Sequence, residues 1–224
     1  MMESKEFDQK YRKRFDKMAT TTIADAMDKV GIRGAVIGIR PMYDCPKIVG
    51  RAITIKITAA EMVKSKYHLG VRAIDAAGWG DIIIIDNRGD LNNNCWGEVL
   101  SMGAKMKGVS GVVVDGAARD IDACKEFGFL VYARGAILIT ARGRIMEESF
   151  NEVVRIGDVQ VRPGDIILAD INGVMIIPVE KLDEVLGAAQ EIFEKEEAMV
   201  EELKKGVLIL EVDQKYAYES MLKK

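Results

Sequence analysis

The feature that most constrains the fold is a regular alternation of short apolar strands and helices in the middle of the chain. Residues 81–86 (DIIIID) and residues 111–115 (GVVVD) are apolar runs bounded by aspartate or glycine. Helices are predicted after them, over residues 98–107 and 121–127, and a third strand over residues 130–133. Such alternation is typical of parallel strands joined by crossover helices. The sequence therefore predicts an α/β fold whose central strands are covered on both faces.

The flanking parts of the chain predict further elements of one domain. Hydrophobic spacing predicts an amphipathic helix over residues 5–18, and residues 51–58 (RAITIKIT) alternate as in a half-buried strand. No repeat, low-complexity segment or shift in composition marks a boundary. The remaining predicted elements are helices over residues 23–30, 63–77 and 180–205, a hairpin over residues 152–161, and short strands over residues 163–170 and 173–179.

A segment rich in asparagine, aspartate and glycine separates the first two central strands. Residues 86–97 read DNRGDLNNNCWG, and these residue types favour turns and left-handed backbone. We therefore predict an ordered loop that leads into the helix over residues 98–107. In that helix Met102 and Met106 stand at helical spacing and are predicted to face the core.

Charge and hydropathy exclude two classes of partner. Lysine and arginine number 32 and aspartate and glutamate 35, which gives a net charge of −3. That balance argues against a protein that binds nucleic acid by neutralising phosphates. Apolar runs such as residues 82–85 are far shorter than the roughly 20 residues that cross a bilayer. We expect neither a nucleic-acid nor a membrane partner.

Histidine and cysteine usage restricts the chemistry and the compartment. The single histidine, His68, excludes metal sites that need two imidazoles. It lies in the helix predicted over residues 63–77, where a structural role is expected. The three cysteines are odd in number and form no CxxC pair, which favours a reducing compartment. Because the amino terminus also lacks the apolar segment of a signal peptide, we expect a cytoplasmic protein.

The polar residues that follow the central strands form the candidate active site. Ligands of parallel sheets bind at the carboxyl ends of strands, and two such loops carry Glu98 and the pair Arg119 and Asp120. The backbone N–H groups of residues 97–100 open a helix and offer an anion site. Together they provide amides and a guanidinium for a carboxylate, and two acidic groups for a hard cation such as Mg²⁺ or Mn²⁺.

Each of these residues also has a structural interpretation. Asp120 stands where an N-cap of the helix over residues 121–127 is expected. Glu98 is favourable in the first turn of any helix, and Arg119 could form a surface ion pair. Spacing alone leaves both interpretations open.

Several blocks of the sequence, in order, resemble the RraA-like family. The family contains the class II 4-hydroxy-4-methyl-2-oxoglutarate/4-carboxy-4-hydroxy-2-oxoadipate aldolases and the regulators of ribonuclease activity A. The resemblance covers about residues 20–206, so that residues 1–19 form an amino-terminal helix and residues 207–224 a carboxyl-terminal arm. The blocks are TTTIADAMDKVGIRG, IRPMYDCPKIVGRAITIKI, GEVLSMGAKMKGVSGVVVDGAARD, IDACKEFGFLVYARG and VRPGDIILADINGVMIIP.

The resemblance implies a single-domain α-β-β-α sandwich of the swivelling phosphohistidine-domain type. It also implies assembly as a homotrimer or homohexamer with active sites between subunits. An acidic residue from the long carboxyl-terminal helix of a neighbour is expected near the site, and here Glu196 or Glu197 could serve.

The aldolases of this family carry an acidic residue, twenty intervening residues and then Arg-Asp. Glu98, Arg119 and Asp120 reproduce that spacing. The resemblance makes Asp120 a direct metal ligand, Glu98 a metal contact through water, and Arg119 the group that binds the substrate carbonyl. At the first place the family usually has aspartate, so Glu98 is one methylene longer. The amides that would hold the pyruvyl carboxylate belong to Gly97, Glu98, Val99 and Leu100.

The function that the resemblance implies is a divalent-metal-dependent lyase. It would cleave 4-hydroxy-2-oxo acids to pyruvate through an enolate and decarboxylate oxaloacetate as a side activity. The alternative is a non-catalytic regulator that binds a ribonuclease or another protein. The regulator branch commonly lacks the acidic residue after the arginine, so the intact Arg119-Asp120 pair favours catalysis. Methyl transfer, a third possibility, finds no nucleotide-binding loop in the sequence.

Overall fold

The computed structural model describes residues 2–61 and 66–218. Its α-helices and strands follow one another in the order that the central alternation predicts. The helices are α1 (Ser4–Lys10), α2 (Thr20–Val30), α3 (Val71–Ala76), α4 (Glu98–Lys107), α5 (Ile121–Phe127), α6 (Leu182–Lys204) and α7 (Ile209–Tyr216). The strands are β1 (Ala35–Val36), β2 (Arg40–Pro41), β3 (Ile48–Ala59), β4 (Ile82–Asn94), β5 (Gly111–Ala118), β6 (Leu130–Ala136), β7 (Ile145–Phe150), β8 (Val154–Ile156), β9 (Val159–Val161), β10 (Ile166–Asp170) and β11 (Gly173–Ile177).

The long strand β3 joins two sheet layers. Its first residues, 48–51, pair with β10, while residues 52–56 pair with β4. The strand order is β1-β11-β10-β3-β4-β5-β6-β2. Strand β7 lies outside this order and pairs with residues 55–59 of β3. Strands β3 to β6 run parallel, and the other pairs are antiparallel. The parallel central strands are as predicted.

Three apolar clusters separate four layers and confirm the α-β-β-α sandwich. One cluster lies between β3–β6 and helices α3, α4 and α5, and another between the β10 layer and helices α1, α2 and α6. The third fills the space between the two sheets. In β4, Ile83 and Ile85 face the helices while Ile82 and Ile84 face the other sheet. This explains why the strand is isoleucine on both faces.

Two glycines end helices where the sequence predicts. Gly31 after α2 and Gly108 after α4 adopt φ of 81° and 83°, a left-handed conformation that glycine reaches without steric penalty. Helix α4 has the predicted bounds. The predicted hairpin is also confirmed, as β8 and β9.

The segment predicted as a loop over residues 86–97 is mostly strand. Strand β4 continues to Asn94, with register shifts that pair Asp90 with Gly116 and Asn94 with Ala117. Strand β3 is also more buried than its alternation predicts. Its polar positions Arg51 and Thr54 are buried, because the strand lies between two covered faces of the sandwich.

The helix predicted over residues 63–77 is shorter than expected. Residues 62–65 lie outside the described residues, and the helix begins at Val71 because Gly70 adopts φ of 82°. His68 lies in the connection before α3 and is exposed, so its placement within a helix is wrong.

The two ends of the chain pack on the same layer. The predicted amino-terminal helix is divided into α1 and a 3₁₀ turn, Arg12–Phe15, which place Phe7, Tyr11 and Phe15 in the cluster beside α6. Helix α7 packs against α6.

Within the described residues, every helix is too short or too polar to cross a membrane. The domain boundaries after residues 19 and 206 stay predictions.

Candidate active site

Two neighbouring crossovers bring the predicted site residues together. Strands β4 and β5 are parallel neighbours, in register from Ile82 with Gly111 to Asp86 with Asp115. Their carboxyl ends therefore meet at one edge of the sheet. Helix α4 begins there at Glu98, immediately after Gly97, and Arg119 and Asp120 connect β5 to α5.

The carboxylate of Asp120 points across the site instead of capping its own helix. Asp120 adopts φ of 54° and ψ of 40°, and its side chain forms no cap hydrogen bond with α5. Its Oδ2 accepts the backbone N–H of Glu98 at 3.2 Å. The alternative in which Asp120 serves as a side-chain N-cap is therefore wrong. A left-handed backbone is uncommon outside glycine, and here it turns the carboxylate toward the first turn of α4.

Gly97 lets this contact form. A Cβ atom at position 97 would lie 2.7 Å from Asp120 Oδ2 and 3.1 Å from Arg119 Cγ. Its φ of −162° is ordinary extended backbone, so the requirement for glycine comes from the close approach of the two side chains. The following N–H groups of α4 have no acceptor within their own helix, and residues 97–100 line the cleft into which the site opens.

The Arg119 guanidinium lies beside Asp120, but its N–H groups are not all hydrogen-bonded. Its Nε lies 3.2 Å from Asp120 Oδ2, within ion-pair distance. The Nε is nevertheless a buried atom without a hydrogen-bond partner, because the N–H does not point at that oxygen. The Arg119 side chain is 31% exposed. The arginine therefore retains donors for a ligand.

A buried aromatic cluster fixes the loop behind the site. Trp96 is fully buried, stacks on Phe129 with ring centroids 6.0 Å apart, and donates from Nε1 to Ser101 Oγ at 2.9 Å. Its carbonyl oxygen accepts the backbone N–H of Arg119 at 2.9 Å. Residues held by such packing keep one geometry, as a preorganised site needs.

The thiols beneath the site are not nucleophiles. Burial raises the pKa of Cys95, and the charges of Asp90 and Asp115 raise it further. Burial also raises the pKa of Cys124, against a smaller opposing effect of its hydrogen bond with Ser101. Because the thiolate is the reactive form, both cysteines are structural.

The site opens into a cleft of about 500 Å³ that also contains residues for which the sequence predicts no role in the site. His68 reaches it from the connection before α3, and Thr140 and Arg142 reach it from the connection between β6 and β7. Asn94, at the end of β4, is 6% exposed, and its Oδ1 is buried without a hydrogen-bond partner. A buried acceptor without a donor costs free energy, so it marks a place where a ligand group or water completes the site.

The predicted metal-binding residues lie in this cleft, but they do not form a complete site within one chain. Glu98 and Asp120 both line it. Across residues 2–61 and 66–218, no group of three histidine, cysteine, aspartate or glutamate side chains is placed to hold a metal. Glu196 and Glu197 lie on α6, on the opposite outer layer of the sandwich, and neither lines the cleft.

Two methionines of α4 differ from their prediction. Met102 and Met106 are 38% and 79% exposed, and Val99 is 80% exposed. These residues are spaced i, i+3 and i+7, so they share one helix face. That face begins at the mouth of the cleft and is apolar.

Comparison with family models identifies one family. The family model for RraA-like proteins, described as Aldolase/RraA, matches residues 20–176. Protein DlpA of Legionella pneumophila is 32% identical over 88% of this chain, which spans about a third (32%) of DlpA. A protein of Halalkalibacterium halodurans, provisionally named 4-hydroxy-4-methyl-2-oxoglutarate aldolase, is 32% identical over 88% of this chain and 90% of its own length.

Solved structures share the fold. An uncharacterised protein of Pseudomonas syringae superposes with a TM-score of 0.82 at 24% identity, covering 91% of this chain and 96% of that chain. Streptomyces coelicolor RraAS2, described as an unusual member of the RNase ES inhibitor RraA family, has a TM-score of 0.74 at 24% identity, covering 83% and 92%. At 24% identity, the similarity to these two structures establishes a shared fold and nothing more.

Proposed function

We propose, from the premise that this chain belongs to the RraA-like family, that it is a lyase that cleaves 4-hydroxy-2-oxo acids to pyruvate. The observation that supports this most directly is the orientation of Asp120. Its carboxylate does not cap its own helix and accepts the backbone N–H of Glu98. It lies beside Arg119, whose Nε has no hydrogen-bond partner. Several relatives at about 30% identity carry aldolase names, in agreement with a lyase.

The residues of the cleft fit a hard divalent cation. Oxygen donors are available from Asp120, from Glu98 and from the unpartnered Oδ1 of Asn94, and Mg²⁺ and Mn²⁺ prefer oxygen ligands. Asp120 would hold the metal directly and Glu98 through water, and the bound metal would supply Lewis-acid stabilisation of negative charge on the 2-oxo group.

The chain's own residues bind the substrate carboxylate and stabilise the developing charge. Among the amides of residues 97–100, at the start of α4, that of Glu98 donates to Asp120, and the others offer donors to the carboxylate of the 2-oxo acid. As the C3–C4 bond breaks, the 4-hydroxyl loses its proton to water and becomes a carbonyl, and the electron pair forms the enolate of pyruvate. Arg119 donates to the enolate oxygen, and protonation at C3 completes pyruvate. One such charge contact at about 4 Å is worth on the order of 4 kcal/mol at an effective dielectric of about 20, or about three orders of magnitude in rate.

An additional cation of the cleft points to a substrate with a second carboxylate. Arg142 lines the same space as Arg119, and a guanidinium is suited to bidentate binding of a carboxylate. This agrees with the dicarboxylic acid in the names of relatives such as that of Halalkalibacterium halodurans. We therefore expect 4-hydroxy-2-oxo dicarboxylic acids to be better substrates than their monocarboxylic analogues.

A second copy of the chain would complete the site. The exposed apolar face of α4, formed by Val99, Met102 and Met106, adjoins the cleft, as expected of a surface that is covered in a trimer or hexamer. Of the two candidate acids on α6, Glu196 accepts the hydroxyl of Tyr218 at 3.1 Å. Glu197 is exposed and forms no side-chain hydrogen bond within the described residues. We favour Glu197 as the acid that a neighbour contributes.

The test is metal-dependent release of pyruvate. Protein treated with EDTA should lose oxaloacetate decarboxylation and recover it with Mg²⁺ or Mn²⁺ but not with Ca²⁺ at equal concentration. A screen of 4-hydroxy-2-oxo acids for pyruvate release then identifies the substrate. Activity that survives the chelator would overturn the metal assignment. Absence of lyase activity together with tight, salt-sensitive binding of a ribonuclease would favour the regulator instead.

A further inference from the structure

The single imidazole of the chain, that of His68, lies in the cleft of the candidate active site. It lines the same space as Glu98, Arg119 and Asp120. The side chain is exposed, and across residues 2–61 and 66–218 it forms no hydrogen bond or ion pair. Its ring nitrogens are therefore available to a molecule that occupies the cleft.

The backbone that carries His68 is fixed by the residues that follow it. Leu69 is 7% exposed and belongs to the apolar cluster beneath α3 and α4. The backbone N–H of Gly70 donates to Oε2 of Glu147 at 3.1 Å, and this buried carboxylate accepts Nε of Arg72 at 2.8 Å with its other oxygen. The exposed imidazole thus extends from an anchored segment.

The same segment packs directly against the start of α4. A Cβ atom at Gly70 would lie 3.3 Å from Trp96 Cζ3 and 3.4 Å from Leu100 Cδ1. Trp96 precedes the helix, and Leu100 lies in its first turn. His68 comes two residues before this contact, so it stands on the side of the cleft that the first turn of α4 forms.

Cleavage of a 4-hydroxy-2-oxo acid needs a group that takes up the proton of the 4-hydroxyl. A general base is most effective when it exchanges its proton near the working pH, and imidazole is the side chain that ordinarily does so. The arginines of the cleft stay protonated. Burial raises the pKa of the Cys95 thiol, and Glu98 and Asp120 are the proposed metal-binding residues. Among the residues that line the cleft, His68 therefore suits this step best.

We infer that His68 is the general base of the proposed lyase and takes up the proton of the substrate 4-hydroxyl through the water that receives it. The inference rests on the proposed function. The hydroxyl O–H bond breaks and an N–H bond forms on the imidazole. The electron pair left on oxygen forms the new carbonyl as the C3–C4 bond breaks, and the pair of that bond forms the enolate. The imidazolium then returns its proton to water, and the enolate takes a proton from water at C3.

The two reactions of the proposed lyase differ in their need for this base. C4 of oxaloacetate is a carboxylate, which leaves as CO₂ without losing a proton, and both reactions then form the same enolate. His68→Ala should lower kcat for cleavage of 4-hydroxy-4-methyl-2-oxoglutarate, the compound in the name of the Halalkalibacterium halodurans relative, by about 100-fold. The same variant should lower oxaloacetate decarboxylation by less than about threefold, because no hydroxyl proton is removed.

Added imidazole separates a lost base from a lost contact. It should restore cleavage by His68→Ala in proportion to its concentration, because it supplies the missing proton acceptor. His68→Gln keeps a polar side chain but accepts no proton, so it should be as slow as His68→Ala. The matched control is Val71→Ala, which shortens another side chain of the cleft, 39% exposed, and should retain both activities. The melting temperatures should stay close to that of the parent, since the altered side chains are exposed.

The inference is overturned if His68→Ala retains cleavage, if it loses both reactions to the same extent, or if imidazole restores no cleavage. Equal loss in Val71→Ala would overturn it as well. A parent protein that does not cleave the 4-hydroxy-2-oxo acid would contradict the proposed function itself, and the inference with it. Measuring both reactions on the parent and on each variant therefore distinguishes the two failures.

Discussion

Two arginine–aspartate pairs of this molecule have the same chemistry and opposite surroundings. Arg51 and Asp81 are buried, and two parallel hydrogen bonds of 3.0 and 2.9 Å join them. Asp81 additionally accepts the hydroxyl of Ser4 at 3.0 Å and the backbone N–H of Gly78 at 2.8 Å. Arg119 and Asp120 are each about a third exposed, and their single contact of 3.2 Å leaves the Arg119 Nε without a hydrogen bond.

The difference separates a pair that holds the fold together from one that is available to a ligand. A buried ion pair in which every oxygen is satisfied has no capacity left for other groups, and breaking it leaves an uncompensated charge. The Arg119–Asp120 pair leaves N–H donors and oxygen lone pairs without protein partners, at an edge of the sheet where ligands bind. The two pairs contain the same residue types and differ in how many of their donors and acceptors are hydrogen-bonded within the protein.

The largest effect is expected from Asp120→Ala. Turnover should fall by about three orders of magnitude or more, since the proposed metal ligand and the partner of Arg119 are both removed. Stability should change by about 1 kcal/mol or less, because the side chain does not cap its own helix α5 and accepts a single 3.2 Å hydrogen bond from the first residue of α4. Initial rates of pyruvate release and thermal unfolding measure the two effects.

Asp122→Ala is the control for that variant. It removes an exposed acid from the first turn of α5 and should retain the activity of the parent. An active Asp120→Ala variant, or one that is inactive only because it is unfolded, would remove the functional distinction between the two pairs.

Asp81→Ala should give the opposite pattern. It leaves Arg51 buried without its carboxylate, which costs about 3–5 kcal/mol of stability and lowers the melting temperature by roughly 10 °C or more. Activity per folded molecule should be unchanged below the unfolding transition. A melting temperature within about 2 °C of the parent would contradict the structural role of this pair.

Gly97→Ala is a smaller perturbation of the exposed pair. The added Cβ would lie 2.7 Å from Asp120 Oδ2, so the carboxylate must move, and kcat should fall by about 10- to 100-fold, as expected of a displacement on the order of 1 Å. Gly103→Ala in the same helix is the matched control. Its Cβ would meet only Ile74 Cδ1 at 3.9 Å, and the helix should gain about 1 kcal/mol of stability. Equal kinetics of the two variants would show that the Asp120 geometry is not limiting.

The parts of the fold that the sequence predicts well are those with local signals. Helix α4 is bounded by Gly97 and by the left-handed Gly108, and both can be identified in the sequence. The extension of β4 to Asn94 could not be predicted in this way. Asparagine and glycine there favour turns, whereas the strand is held by pairing with β5, a partner distant in sequence that overrides local preference.

The same distinction applies to the candidate site. Glu98, Arg119 and Asp120 follow two successive strands, so the rule that ligands bind at strand ends places them together. His68 and Arg142 line the same cleft but come from connections whose positions depend on tertiary packing. Asn94 lies at the end of the extension of β4, which the sequence does not predict. The exposed Met102 and Met106 were predicted to be in the core because helical spacing identifies an apolar face without showing what covers it.

The backbone itself limits how far this protein can be stabilised by engineering. Four non-glycine residues in the described parts of the chain have positive φ: Arg88, Asp120, Asn151 and Ala217. Of these, Asp120 stands in the cleft of the candidate active site. A stability design that replaced Asp120 by glycine would relieve a conformational cost of about 1 kcal/mol. It would also delete the carboxylate around which the candidate site is built, so selection for thermal resistance alone would remove the site from an intact fold.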